Sequence, residues 1–408
     1  MVVAGVIGVV SFHDGWDVGE ILRYALPVLR HRGDDAWAVT LGKGGVLTGR
    51  QVRDEDQIPS GEAGLLCLGT DGDARGIVRC GHADVAYCLE GLIVRPQDVC
   101  RLINGEVKAF PYTSLVALTS DGELIAHRPI TGLRGLAIGA YGFDLAMVSN
   151  ESSAIDALGG DVRTFIRPGS TVRISRLNLT IQEGPGGSRG MLCAMEFIYL
   201  SRPDSVFDGH PIYEFRRALA VKLAGRLMGR VDDVDIVIGM PETGVIYGIK
   251  VAESLRKPFE YALINIERRR SALRRELLDK LSSIHLKLSP VTSAVSGRRV
   301  LLIDDSLLTG LSIKEASQVL RHRAGVSEVH VAIASPKVVR SCPYGVDMPP
   351  NNQLLANAFN DENAQRVLEV DSLTWLSLED LYEAADEVGI GRDSLCTYCF
   401  GGAHGLDL

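Results

Sequence analysis

The sequence predicts an α/β protein of two domains. Three observations carry that reading: a length of 408 residues, more than one hydrophobic core ordinarily serves; short strand-like runs between turn residues up to about residue 185; and alternation of strand and helix after it. Hydrophobic residues make up 46% and charged residues 23%, an ordinary balance for a globular chain. A net charge of −8 gives no overall attraction to nucleic acid or to an anionic membrane. No apolar run approaches the roughly 18–20 residues of a membrane span. The apolar start, Met1 to Gly8, has neither a basic stretch nor a small-residue cleavage site. It reads as a first strand, and the expected location is the cytoplasm.

In the first half, Val6–Phe12, Ser114–Leu118, Leu145–Ser149 and Ser170–Ser175 read as strands, because apolar and β-branched residues stand between Gly, Asp and Asn turns. One segment there, Val18–Arg30, carries apolar residues at helical spacing. Gly-rich Gln182–Gly190 reads as a linker and divides residues 1–190 from 191–408. Beyond it, Ile212–Met228 reads as a helix, Asp235–Met240 as a buried strand and Val245–Leu255 as a helix. Arg299–Ile303 is a strand, Ser312–His322 a helix and Val329–Ala334 a strand. Such alternation is the pattern of a parallel sheet.

The most informative segment, Val300 to Ser312, reads V-L-L-I-D-D-S-L-L-T-G-L-S. A buried strand ends in Asp304 and Asp305, and a short loop carries Ser306, Thr309, Gly310 and Leu311. Ser312 is placed to cap the next helix. The loop points backbone N–H groups and a helix N-terminus at one spot, which suits a phosphate. Carboxylates at the carboxyl end of a parallel strand, where such sheets bind ligands, accept hydrogen bonds from a vicinal diol such as ribose.

The D-D-S-x-x-T-G-x-S pattern resembles the PRPP signature of type I phosphoribosyltransferases. Further landmarks extend the resemblance over most of the chain to the glutamine PRPP amidotransferases, or amidophosphoribosyltransferases. Cys193 to Ser205 (C-A-M-E-F-I-Y-L-S-R-P-D-S) is similar to the opening of that family's transferase half. Asp235 to Gly244 (D-I-V-I-G-M-P-E-T-G) is similar to its pyrophosphate loop, where P-D-S-G is usual. Lys287 to Pro290 (K-L-S-P) resembles a K-L-N-P segment, and Ser335-Pro336, Cys342 to Asp347 and Leu395 to Phe400 match later landmarks in order. His31 to Asp34 (H-R-G-D) resembles H-R-G-Q of the glutaminase half. The resemblance implies an N-terminal Ntn-hydrolase-like αββα sandwich and a C-terminal type I phosphoribosyltransferase domain. It implies that Asp304, Asp305, Ser306, Thr309, Gly310, Leu311, Ser312, Thr243, Gly244 and Lys287 hold PRPP, with Mg²⁺ at its pyrophosphate.

Eight cysteines are present. For scattered cysteines of a cytosolic protein the ordinary state is a buried free thiol, and this applies to Cys67, Cys80, Cys88 and Cys100. Cys396 and Cys399 stand at C-x-x-C spacing, which lets two thiolates reach one metal centre. One subgroup of the family binds a 4Fe–4S cluster through four cysteines, and Cys193, Cys342, Cys396 and Cys399 fall on those positions. The resemblance therefore implies a structural cluster, with zinc on the same ligands as the alternative.

The chain departs from the family where glutamine is cut. The family's nucleophile motif C-G-I-V-G reads A-G-V-I-G from Ala4 to Gly8, and a methyl group attacks no amide. The G-H-x-R-Y segment reads L-G-T-D-G from Leu68, without its arginine. H-N-G-N-L reads L-E-G-L-I from Leu89, putting the Glu90 carboxylate where an oxyanion-binding amide belongs. The stretch with a substrate-binding aspartate is missing between Arg101–Pro111 and Tyr112. The mobile loop over PRPP is replaced by Ile264–Leu273, a basic stretch whose Arg268, Arg269 and Arg270, with Arg274 and Arg275 beside them, suit a pyrophosphate. Equally, Ser271–Leu281 reads as a charged surface helix. Two functions follow as expectations. One is synthesis of 5-phosphoribosylamine from PRPP with ammonia from solution or from a partner. The other is a non-catalytic paralogue sensing PRPP or purine nucleotides beside an active homologue. A homo- or hetero-oligomer is implied in either case.

Overall fold

The computed structural model describes residues 4–53, 56–69, 74–185, 190–266 and 288–403. The first half is built on two antiparallel sheets. One runs Asp161–Phe165, Ala137–Tyr141, Leu145–Ser149, Gly5–Ser11, Ala63–Gly69, Asp35–Gly42, Val46–Val52; the other runs Leu179–Gln182, Thr171–Ile174, Leu124–His127, Thr113–Thr119, Ala83–Gly91, Arg75–Cys80. The two-residue period of a strand explains the layering. In Gly5–Ser11, Val6 and Val10 face the second sheet, whereas Ile7 and Val9 face the helices Val18–Leu29 and Ser152–Ala157. The helix Pro96–Ile103 packs on the edge strand Arg75–Cys80. These layers form the expected αββα sandwich.

Two of those helices, Pro96–Ile103 and Ser152–Ala157, go beyond the single helix read in this half. At eight and six residues they are too short to display a clear 3.6-residue period. A second correction concerns the thiols: Cys80 and Cys100 form a disulfide, so neither is free. Tertiary packing, not spacing, brings Cys100 of that short helix against the edge strand.

The second half is a four-stranded parallel sheet in the order Ile236–Gly239, Arg299–Asp304, Glu328–Ile333, Ser372–Trp375. Val237, Leu301, Ile303 and Ala332 pack against the helices Ile212–Leu227, Thr243–Leu255 and Leu378–Glu387. Ile236, Ile238, Leu302 and Val331 pack against Leu311–Gln318 and Asp361–Leu368. A sheet buried on both faces needs unbroken apolar strands, which is why Val300 to Ile303 carries no polar residue.

The halves pack closely. Buried Arg128 donates to both carboxylate oxygens of Asp208, at 2.7 and 3.0 Å. Phe207 lies against Gly135, where a Cβ would stand 2.2 Å from a ring carbon. No helix among the described residues is long and apolar enough to cross a membrane.

The Cys80–Cys100 bridge closes a loop with a sequence separation of 20. Cys100→Ser should lower unfolding free energy by about 2–4 kcal/mol, measured by urea denaturation. Thiol titration of the unfolded, unreduced chain should count the six remaining cysteines.

Candidate functional site

The carboxyl end of the strand Arg299–Asp304 delivers Asp304 and Asp305, both buried. Asp304 Oδ1 accepts from the Asp305 backbone N–H at 2.9 Å, and Asp305 Oδ1 accepts from Ser306 Oγ at 2.7 Å. The other Asp305 oxygen accepts from the Thr243 hydroxyl, at the first residue of the helix Thr243–Leu255. Gly244 makes that approach possible: a Cβ there would stand 2.4 Å from the Ile303 carbonyl oxygen. Thr243, Gly244, Asp304 and Asp305 are thus brought to one place from segments about 60 residues apart, as a parallel sheet dictates. Burial raises both carboxyl pKa values above the ordinary range, and the charge of Asp305 raises Asp304 further. Hydrogen bonds from Ser306 and Thr243 and the charge of Arg216 oppose the rise at Asp305.

The loop differs in one detail from expectation. Ser312 does not cap the following helix; it lies exposed within it, in the first turn. The cap position belongs to Gly310, whose φ of +85° is the left-handed conformation that glycine tolerates. Thr309 Oγ1 accepts weakly from the Leu311 N–H, at 3.5 Å. Lys287 and Arg268, Arg269, Arg270, Arg274 and Arg275 lie outside the described residues.

Cys193, Cys342, Cys396 and Cys399 come together. They line one cavity with Leu133, Arg134, Met195, Tyr344, Val346, Met348 and Tyr398, and none is in a disulfide. Leu192–Cys193 pairs in parallel with Leu395–Cys396, which fixes two of the four, and Cys342 Sγ accepts from the Tyr344 N–H at 3.3 Å. Burial pushes the Cys193 and Cys399 thiols well up, and Cys396 up to about 11. Among the described residues no three His, Cys, Asp or Glu side chains converge as a single metal ion would need. The thiols are arranged around a cavity wall. Arg134 is buried in the same wall, and its Nε has no hydrogen-bond partner among the described residues. Four soft sulfur donors in an apolar enclosure, with an unused N–H beside them, fit an iron–sulfur cluster.

The third feature is a buried charge network beside Ala4 and Glu90. Arg32 is buried and donates through Nη2 to Glu151 at 2.5 Å and to Glu196 at 2.8 Å, and its Nη1 lies 3.5 Å from Glu90. Arg134 donates to Glu196 at 2.7 Å. His31 joins Glu151 at 2.9 Å, and Asn150 bonds both the Ala4 carbonyl and Glu90. Ala4 itself is buried. Two arginines therefore face three buried carboxylates. The Arg32 charge helps hold Glu151 down to about 2 despite its burial. Glu90 is the surplus acid, and burial raises it to about 7. Glu151, Glu196 and Arg134 escaped the sequence reading. Glu196 did leave a signal there, as a lone charge between Met195 and Phe197-Ile198 in an apolar run.

Comparison with known proteins agrees with the fold. A family model described as the phosphoribosyl transferase domain matches residues 213–341. The amidophosphoribosyltransferases of Synechococcus elongatus and Archaeoglobus fulgidus are 30% and 32% identical over 324 and 313 residues. Those stretches cover 78% and 76% of this chain and 64% and 65% of the relatives, so the matched chain spans just under two thirds of their length. The structure of glutamine PRPP amidotransferase from Bacillus subtilis complexed with ADP and GMP overlays with a TM-score of 0.81 at 24% identity, covering 98% of this chain and 97% of that one. The fold is therefore that of an Ntn-hydrolase-type sandwich joined to a type I phosphoribosyltransferase domain. Within that class, the sequences it resembles over the matched stretches are amidophosphoribosyltransferases.

Removing Arg32 strands Glu151 and Glu196, so Arg32→Met should cost about 3–5 kcal/mol in urea denaturation. Glu90 titrates higher in the folded chain (about 7) than at its ordinary value of 4.5, so the folded state holds the extra proton between those pH values. Stability should fall as pH rises through that window. Glu90→Gln should flatten the slope, and the variant should be at least as stable as the wild type at pH 8.

Proposed function

We propose that this chain binds PRPP with Mg²⁺ in its C-terminal half and forms 5-phosphoribosylamine from ammonia, without cutting glutamine itself. The contact between Thr243 and Asp305 carries this reading, because it joins the two loops that must hold opposite ends of one substrate. Asp304 and Asp305 accept from the ribose hydroxyls. Backbone N–H groups of the loop Ser306–Ser312 receive the 5-phosphate, with Thr309, Gly310 and Leu311 at its turn. Thr243 and Gly244 stand at the pyrophosphate, whose Mg²⁺ arrives with the substrate, and Lys287 belongs to the same site by its motif. Ammonia forms the new C–N bond at the anomeric carbon as the C–O bond to pyrophosphate breaks; a proton leaves the nitrogen and Mg-pyrophosphate departs. Such a step needs positioning and charge neutralisation, and no protein nucleophile.

Loss of glutamine cleavage is supported by the same network that fills the region of the old motif. Ala4 offers no nucleophile, and Glu90 presents a carboxylate where an oxyanion would need a donor. Ammonia then comes from solution or from a partner with a working glutaminase. A role in purine biosynthesis is supported by the overlay, at a TM-score of 0.81, on a structure described as the allosteric regulatory enzyme of purine biosynthesis. The four cysteines are read as ligands of a 4Fe–4S cluster that ties the segments around Cys193, Cys342 and Cys396–Cys399 together. Zinc is disfavoured by the spread of the thiols around a cavity.

Purified chain with PRPP, Mg²⁺ and ammonium should release pyrophosphate, and glutamine in place of ammonium should release none. Asp305→Asn should lower the rate by roughly 10². PRPP binding without release would instead favour the non-catalytic, nucleotide-sensing paralogue; no PRPP binding would sink both. Anaerobically purified protein should contain about four iron and four sulfide per chain, against about one zinc if the alternative holds.

A further inference from the structure

Arg134 comes from the sandwich half, yet it forms part of the wall of a cavity whose four thiols all come from the transferase half. It is 1% exposed. Nη1 is committed to Glu196 Oε1 at 2.7 Å, whereas Nε–H is buried and bonds nothing among the described residues. Leaving a buried donor unmade ordinarily costs about 1–3 kcal/mol, so it calls for a partner that the protein's own atoms do not supply. Hydrophobic neighbours make up most of the remaining wall: Leu133, Met195, Val346 and Met348. An acceptor inside the cavity supplies what the Nε–H lacks, and a negatively charged one suits the guanidinium best.

We propose that Arg134 donates its Nε–H to a sulfur of the iron–sulfur group held by Cys193, Cys342, Cys396 and Cys399, serving as countercharge and tuning residue for that group. The inference rests on the cluster reading above. Thiolate-ligated clusters carry net negative charge, and hydrogen bonds to their sulfurs help set the reduction potential. Arg134 is held for this task by Glu196, which Arg32 fixes in turn through contacts at 3.2 and 2.8 Å. A cluster ligated by one half of the chain is thereby tuned by the other half. A donor beside the cluster favours its reduced, more negative form, so losing the donor should make reduction harder.

The test uses anaerobically purified full-length protein as wild type, Arg134→Met and Arg134→Lys. Iron and sulfide content, the midpoint potential in a dithionite titration, and the iron–thiolate stretching bands in the Raman spectrum are read for each. Arg134→Met should retain the cluster and lower its one-electron potential by at least the 59 mV that corresponds to a tenfold shift in equilibrium. Arg134→Lys, which keeps the charge and loses the Nε–H, should show a smaller fall, with the stretching bands displaced in both variants. The bands are read in the oxidised, as-purified cluster, so the test does not depend on dithionite reducing it. Unchanged bands and potential in a cluster-loaded variant overturn the role given to Arg134 and leave the cluster reading intact. Wild-type protein without iron and sulfide overturns both. Should Arg134→Met fail to fold, Arg134→Lys decides the matter by the same two spectra.

Discussion

A guanidinium buried among three carboxylates is the constraint on which the rest of this structure depends. Arg32 cannot leave water without partners, because an unpaired charge in the interior costs several kcal/mol. Its partners come from across the chain: Glu90 from a strand of the second sheet, Glu151 from the turn before a short helix, and Glu196 from the transferase half. Satisfying Arg32 therefore requires both domains to be folded and docked. The network reaches Ala4 through Asn150, which bonds both the Ala4 carbonyl and Glu90. The start of the first strand and the interdomain brace thereby share one set of buried residues.

The segment from Cys193 to Ser201 relays that brace toward the ligand sites. Cys193 lines the sulfur cavity, and Glu196 pairs with both Arg32 and Arg134. The Phe197 and Ser201 carbonyls accept from buried Arg216 at 2.8 and 2.6 Å, and the charge of Arg216 favours the ionised form of Asp305. The Ile198 carbonyl accepts from Tyr247 at 2.9 Å, one turn into the helix that Thr243 begins. One short stretch thus touches the charge network, the cavity, and the loops that bring Thr243 and Asp305 together. Changes at any one of the three have a packed, hydrogen-bonded route to the others.

Much of this was legible in the chain. The parallel sheet shows in Asp235–Met240 and Arg299–Ile303 because strands covered on both faces must be apolar throughout. The strand–turn–helix at Asp304 to Gly310 shows because an apolar strand, two carboxylates and a glycine turn follow one another in the chain. The helices Pro96–Ile103 and Ser152–Ala157 did not show, being too short for a period to emerge. The cap was misplaced by two residues because Ser312 has the right chemistry for it, whereas Gly310 has the backbone freedom the turn demands.

What the sequence determined by itself is local and periodic: two domains, the order of strand and helix in the second, the carboxylate pair at a strand end, and the absence of a nucleophile at Ala4. Each of these follows from residues close together in the chain. Tertiary structure alone decided which distant charges meet. Nothing in the spacing of Arg32, Glu90, Arg134, Glu151 and Glu196 says that they share one interior, or that Cys100 finds Cys80 while Cys67 and Cys88 remain thiols. Pairing a buried charge is a demand of the dielectric around it, and that dielectric exists only once the chain has closed over the charge.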